Sequence, residues 1–323
     1  MVRGRLPLPV FRRVPSNPLI SPDPRHSWES LCTFNPGAVE LEGRIYILYR
    51  AMGSDRTSTI GLAISGDGLH VDERLEEPIY VPREEFEQKL GQGHSGCEDP
   101  RVVRVHDKLY MFYTAYDGLN PPRVAVTSIS INDFIKGEWN WLPPRLVSPP
   151  RIDDKDACII PEEVKGNYFF IHRAGGVNMV YDYVKSPDSI EPDRLKCNPL
   201  LKPRPHLWDE VKVGLASPPI KTSLGWLTFY HGVSRNYVYR VGAILLDLND
   251  PCRVIARTKE ALLEPSADYE KLGYVNNVVF PCGSVLRGET ILLYYGAADT
   301  YVCVATANLN EVLSALSEVK EGC

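Results

Sequence analysis

Nothing in this 323-residue chain is apolar for long enough to cross a bilayer; the longest runs, such as Ile291 to Ala298, are far too short. Cysteine pairs are missing too. The eight cysteines (Cys32, Cys97, Cys158, Cys197, Cys252, Cys282, Cys303 and Cys323) are scattered without a CxxC or a regular framework, so they read mostly as buried thiols. There is no HExxH, no EF-hand spacing and no glycine-rich strand-to-helix loop, which removes the usual metal and nucleotide signatures. Excess positive charge is also absent. At a net charge of -5 a general nucleic-acid or anionic-membrane surface is not expected, and any anionic substrate must be met by a local group of Lys, Arg and His. The opening stretch MVRGRLPLPVFRRVPSNP is basic but broken by prolines and lacks the apolar core of a secretory signal. A cytoplasmic protein is expected.

Helical periodicity is scarce, confined to short pieces at Glu84 to Leu90 and Leu309 to Leu316, so an alternating α/β fold is excluded. What the chain has instead is repetition. Five hydrophobic strands begin at Tyr46 (YILYRA), Tyr110 (YMFYTA), Tyr168 (YFFIHR), Trp226 (WLTFYH) and Ile291 (ILLYYG). Each follows a hairpin signal (LEGRI, VHDKL, VKGNY, TSLGW, LRGET), and each precedes an alternating third strand. The repeat is about sixty residues, somewhat longer than the common propeller units. Five units consume nearly the whole chain, predicting one all-β domain over residues 1–323, a five-bladed β-propeller.

In a propeller the first strands surround the axis, so polar residues at equivalent places converge on one funnel. The strand starts carry Asn35, Asp99, Lys155 with Asp156, Lys212, and Asn276 or Asn277; the second strands end in Arg50, Thr114, His172 with Arg173, Tyr230 with His231, and Asp299. Charge is normally kept out of sheet interiors, so basic residues at matching positions imply a site, although a salt bridge between blades would also explain Arg50 alone. Glu98 and Asp99 are adjacent, and in an extended strand only one can face the axis. Asp99 is preferred because it precedes its aromatic anchor by the same interval as Asn35. The basic group Lys155, Arg173, Lys212 and His231, with the Tyr239 hydroxyl, suits an oxyanion such as phosphate. His231 alone would also fit a satisfied core histidine.

The motifs FNPGAV, GCEDPR, YTAYDG, KDACIIPEEVKGNY, VKVGLASPPIKTSLGW, YHGV, YRVGAILLDLNDP, VVFPCGSV and YYGAADT, running from Phe34 to Thr300, resemble the serial motifs of glycoside hydrolase family 130. The subgroup most resembled is that of the β-1,2-mannobiose and β-1,2-oligomannan phosphorylases. The resemblance implies a propeller and inverting phosphorolysis to α-mannose 1-phosphate, with inorganic phosphate as co-substrate and no cofactor or metal. It implies Asp99 as proton donor, acting through a mannose hydroxyl, and Lys155, Arg173, Lys212, His231 and Tyr239 around phosphate. Asn35, Arg50, Asp117, Asp156, His172 and Asp299 fall to the mannoside. Several relatives carry Arg and Asn where this chain has Lys155 and Asp156.

An inverting hydrolase needs a second carboxylate as base, whereas phosphate is already an anionic nucleophile and needs only cations to hold it in line. The rival readings are an inverting β-mannoside hydrolase on the same fold, which would lose the basic residues, and a carbohydrate-binding propeller without catalysis. Linkage, acceptor sugar and association into a homo-oligomer are left open by the sequence.

Overall fold

The computed structural model describes residues 10–319; the proline-broken first nine residues and the last four, including Cys323, lie outside that range. The chain is nearly all β, arranged as five antiparallel meanders in sequence order. The central strands are Arg44–Met52, Lys108–Tyr116, Tyr168–His172, Trp226–Val233 and Thr290–Ala297, each pairing with an earlier and a later neighbour. All five predicted anchors fall on them. The hairpins form where the sequence permits positive φ. Glu42 and Gly43 (φ 50° and 77°) turn Leu41 onto Arg44, and Lys165 and Gly166 (55° and 71°) do the same in the third meander.

Two short strands join units distant from them in sequence. Arg12–Arg13 pairs with Tyr301–Asn308 in the fifth meander, and Leu316–Glu318 pairs with Val254–Thr258 in the fourth. Backbone hydrogen bonds from one meander to the next are sparse: a two-residue parallel bridge joins Thr57 to Ser95 and Ser58 to Gly96, and single bonds run from Asp154 N to Pro122 O, Val213 N to Val177 O, Tyr239 N to Asn277 O and Thr33 N to Thr300 O. Packing joins the rest. Separate apolar layers lie between meanders one and two (Leu48, Leu62, Val102, Met111), two through four (Phe112, Phe170, Trp226), four and five (Phe229, Val241, Leu293), and five and one (Tyr294, Val285, Ile45). Each large side chain buried in these layers contributes about 1.5–3 kcal/mol.

The first strands Val279–Arg287, Cys32–Leu41 and Ser95–Val105 pack in that order, and Cys158–Ile159 packs on Ser95–Val105. Their approach is so close that a Cβ on Gly37 would strike Pro100 O, and one on Gly283 would strike Ala38.

Among the described residues the α-helices are short: Ile131–Lys136, Asp268–Lys271 and Leu309–Ser314. The helix expected at Glu84 to Leu90 is instead a single turn. Its cause is Glu87, which is drawn into the core by the Tyr80 and Tyr113 hydroxyls while Oε2 accepts from Arg83 N and Glu84 N. Five cysteines are buried; Cys197 and Cys252 are partly exposed, and all seven described thiols are free.

Candidate active site

The site begins with a backbone irregularity repeated at the starts of the first strands. Pairing slips between Phe34 and Gly37 in one meander and between Glu98 and Arg101 in the next, and the residues at the slip, Asn35 and Asp99, are left-handed at φ 46° and 54°. Asp156 has the same φ of 54°, just ahead of Cys158–Ile159. Asn and Asp tolerate this conformation better than other side-chain-bearing residues, and the prolines that follow Asn35 and Asp99 remove a ladder donor at the bulge.

The bulge corrects one sequence expectation. Because Asp99 is left-handed, strict alternation fails, and Glu98 and Asp99 both line the cavity.

That cavity, of about 240 Å³, is lined by Asn35, Arg50, Asp99, Lys155, Asp156, Arg173, Lys212, Tyr239 and Asp299 among the predicted residues. Arg50 is its hinge. Its Nη1 donates to Asp99 Oδ1 at 3.1 Å, its Nη2 to Glu98 Oε1 at 2.8 Å and its Nε to Ser58 at 2.9 Å. Asn35 Nδ2 donates to the same Asp99 Oδ1 at 2.8 Å, and Lys155 Nζ lies 3.4 Å from Glu98 Oε2. Burial disfavours the Glu98 charge, but Arg50 and Lys155 outweigh it and hold the carboxyl below its ordinary range. Likewise burial opposes the Lys155 charge, yet Glu98 and Asp99 raise it. Asp299 goes the other way. Burial, reinforced by Asp99 and Glu98, pushes it up to about 7 against Arg50 and Lys212.

Asp156 is buried among the cations. Arg101 Nη2 donates to its Oδ1 at 3.0 Å, and Arg173 Nε stands 2.6 Å from its Oδ2, a charge contact without hydrogen-bond alignment. Burial disfavours the Asp156 charge, but Arg173 and its other cationic neighbours hold it well below the usual carboxylate range. Arg173 Nη1 donates to Gly176 O at 2.7 Å, and Lys212 Nζ sits over the Tyr239 ring, 5.0 Å from its centroid.

Several predicted residues are not brought to the cavity wall. His231 is fully buried beneath it, 3.5 Å from Asp156 Oδ2 and 4.4 Å from the Phe280 ring. Burial, with Arg173 and Lys212 nearby, drives its pKa down to about 3, so it adds no positive charge at neutrality. Asp117 folds back on its own loop, accepting from Leu119 N, Asn120 N and Asn120 Nδ2. His172 is buried between Asp154 and Asp182 at 2.7 and 3.2 Å. Asn276 is likewise turned to local use, accepting from Gly273 N.

Loops add residues the repeat pattern did not mark. His94, half-exposed and 3.8 Å from Glu98, lines the cavity, as do Tyr274 and Val275. Among the described residues two groups of donor atoms lie within 4.8 Å of one another elsewhere, Asp23–His26–Glu29 and His172–Asp182–Cys197, but each histidine already faces a carboxylate.

Carboxylates and cations face one small polar cavity on this all-β scaffold, an arrangement able to hold a polyhydroxylated or anionic ligand and to move a proton. The family profile of glycoside hydrolase family 130, described as beta-1,4-mannooligosaccharide phosphorylase, matches residues 10–318. A 1,2-beta-oligomannan phosphorylase of Thermoanaerobacter sp. (strain X514) is 35% identical over 309 residues, covering 94% of this chain and 98% of the relative. A beta-1,2-mannobiose phosphorylase of the same strain is 34% identical, covering 94% and 99%. Of solved structures, the beta-1,2-mannobiose phosphorylase of Listeria innocua in complex with beta-1,2-mannobiose superposes with a TM-score of 0.80 at 28% identity, over 94% of this chain and 98% of that one. A structure described with family members that are hydrolases of beta-1,2 mannosidic linkages in Candida mannan gives 0.79 at 26%, over 93% and 94%. The chain belongs to glycoside hydrolase family 130.

Proposed function

We propose that this enzyme cleaves β-1,2-mannosides, mannobiose or short oligomannans, by inverting phosphorolysis. A phosphate oxygen attacks the anomeric carbon from the face opposite the leaving group, the C1–O bond breaks, and the leaving oxygen takes a proton that originates on Asp99. The products are α-mannose 1-phosphate and a sugar shortened by one unit. Lys155, Arg173 and Lys212, with the Tyr239 hydroxyl, hold the nucleophile; Asn35, Arg50 and Asp299 hold the mannosyl ring. His231 and Asp156 support the cations.

The observation that carries this reading is the pairing, in one cavity, of Asp99 with the cations Lys155, Arg173 and Lys212. A volume of about 240 Å³ lies just under the ~300–1,000 Å³ usual for small-molecule sites, which suits one sugar ring with phosphate. Glu98 is the specific feature favouring a hydrolase, since it is a second carboxylate in the cavity, and hydrolytic relatives exist. Against it, both Glu98 oxygens are engaged, by Arg50 and Lys155, which leaves a poor base for water.

The same reading takes the five meanders as blades of one propeller domain, supported by apolar layers that run from each meander to the next and from the fifth back to the first. A cytoplasmic location is part of it, on the unpaired thiols. The reverse reaction tests the function. Given α-mannose 1-phosphate and mannose, the enzyme should release phosphate and form a β-mannobiose. No release of phosphate, together with mannoside cleavage in phosphate-free buffer, would establish the hydrolase instead.

A further inference from the structure

Beneath the cations, outside the cavity, one histidine is clamped on both sides. His172 Nδ1 lies 2.7 Å from Asp154 Oδ2 and Nε2 lies 3.2 Å from Asp182 Oδ2, with the ring stacked 4.7 Å from Phe170. A neutral imidazole offers one donor and one acceptor, so two carboxylate partners require a proton on each nitrogen. The bridge spans separate segments. Asp154 Oδ1 accepts from Arg173 N at 3.1 Å, and the same N–H reaches Lys155 O at 3.0 Å. Asp182, on Met179–Val184, accepts from Lys196 N and Cys197 N at 2.7 and 3.0 Å. The imidazolium therefore locks the segment bearing Lys155 and Asp156 to the strand end bearing Arg173.

We propose that His172 is a positioning residue: charged and bridged between Asp154 and Asp182, it sets the spacing of Lys155 and Arg173, and losing its proton at alkaline pH weakens phosphate use before mannoside binding. This rests on the phosphorolysis reading above. The groups facing the ring are Asp154, Asp182 and the Cys197 thiol, whose sulfur lies within 4.8 Å of both His172 and Asp182, with Arg123 acting on Asp154. Burial opposes the His172 charge, but the two carboxylates prevail and raise its pKa to about 9. The Cys197 thiol, pushed by burial and the same acids to about 11, stays neutral through that range.

The test is steady-state kinetics of wild type, His172→Gln and Asp182→Asn, varying phosphate and β-1,2-mannobiose separately from about pH 6 to 10, around the ordinary histidine range. His172→Gln should raise the KM for phosphate roughly tenfold, leave the mannobiose KM within about twofold, and remove the alkaline rise in phosphate KM. Asp182→Asn removes one of the two charges that raise His172, so the alkaline limb should move toward neutrality by about one pH unit. Should His172→Gln fail to fold, the position of that limb in Asp182→Asn decides. Equal losses for phosphate and mannobiose, or an unmoved limb, overturn the positioning role while leaving phosphorolysis intact. Wild-type cleavage without phosphate sinks both.

Discussion

Replacing Asp99 by Asn isolates the proton from everything else the carboxylate does. The residue sits at φ 54°, where Asn is tolerated and Ala would add backbone strain, so the amide is the cleaner probe. Both structural contacts fall on Oδ1, from Asn35 Nδ2 at 2.8 Å and Arg50 Nη1 at 3.1 Å, and an amide oxygen can accept both. Arg50 keeps Glu98 at 2.8 Å and Ser58 at 2.9 Å, so the buried guanidinium is not left unpaired. The expected stability loss is therefore under about 2 kcal/mol, the difference between a charged and a neutral acceptor. Turnover should fall much further, by about 10² to 10⁴-fold, the range for a general acid. The assay is release of mannose 1-phosphate from β-1,2-mannobiose at saturating phosphate, with a thermal melt alongside. A folded variant retaining more than about a tenth of wild-type turnover would refute the assignment and move suspicion to Glu98 or Asp299.

Arg173→Ala should raise the phosphate requirement about ten- to hundredfold with little change in mannoside binding, read as separate KM values, because it removes a charge-assisted contact to the nucleophile. Asp299 should titrate near neutrality, about 7, in a carboxyl-labelled NMR titration, and lower in Asp99→Asn, since the Asp99 charge is among the forces that raise it. His172 also predicts the pH dependence of stability. Its folded pKa is raised from 6.5 to about 9, so its contribution is complete below the unfolded value and lost as pH rises through the folded one. The loss is of order 3 kcal/mol, visible as a falling wild-type Tm that is flatter in His172→Gln.

The repeats are legible because each meander repeats one local grammar: a turn with positive φ, then an aromatic or, at Ile291, a bulky aliphatic residue at the start of an apolar strand. That grammar also placed Asn35 and Asp99 as equivalents, and both occupy the same left-handed bulge. The bulge itself is not legible, since alternation assumes an unbroken strand and so turns Glu98 away from a cavity it lines. The ends of second strands are ambiguous for a related reason. A polar residue there can reach the cavity, as Arg50 and Arg173 do, or meet a partner from the next strand, as His172 meets Asp182. Only tertiary contacts decide between them. His94 and Tyr274 stand on loops outside the repeat, and Arg12–Arg13 pairs with a strand nearly three hundred residues later. Neither has a local signal.

The central claim, that phosphate is the nucleophile, is met most directly by incubating the enzyme with β-1,2-mannobiose in the presence and absence of phosphate and following products by proton and phosphorus NMR. Cleavage that depends on phosphate and yields α-mannose 1-phosphate and mannose in equal amounts is the expected result. Release of free mannose at the same rate without phosphate would contradict it.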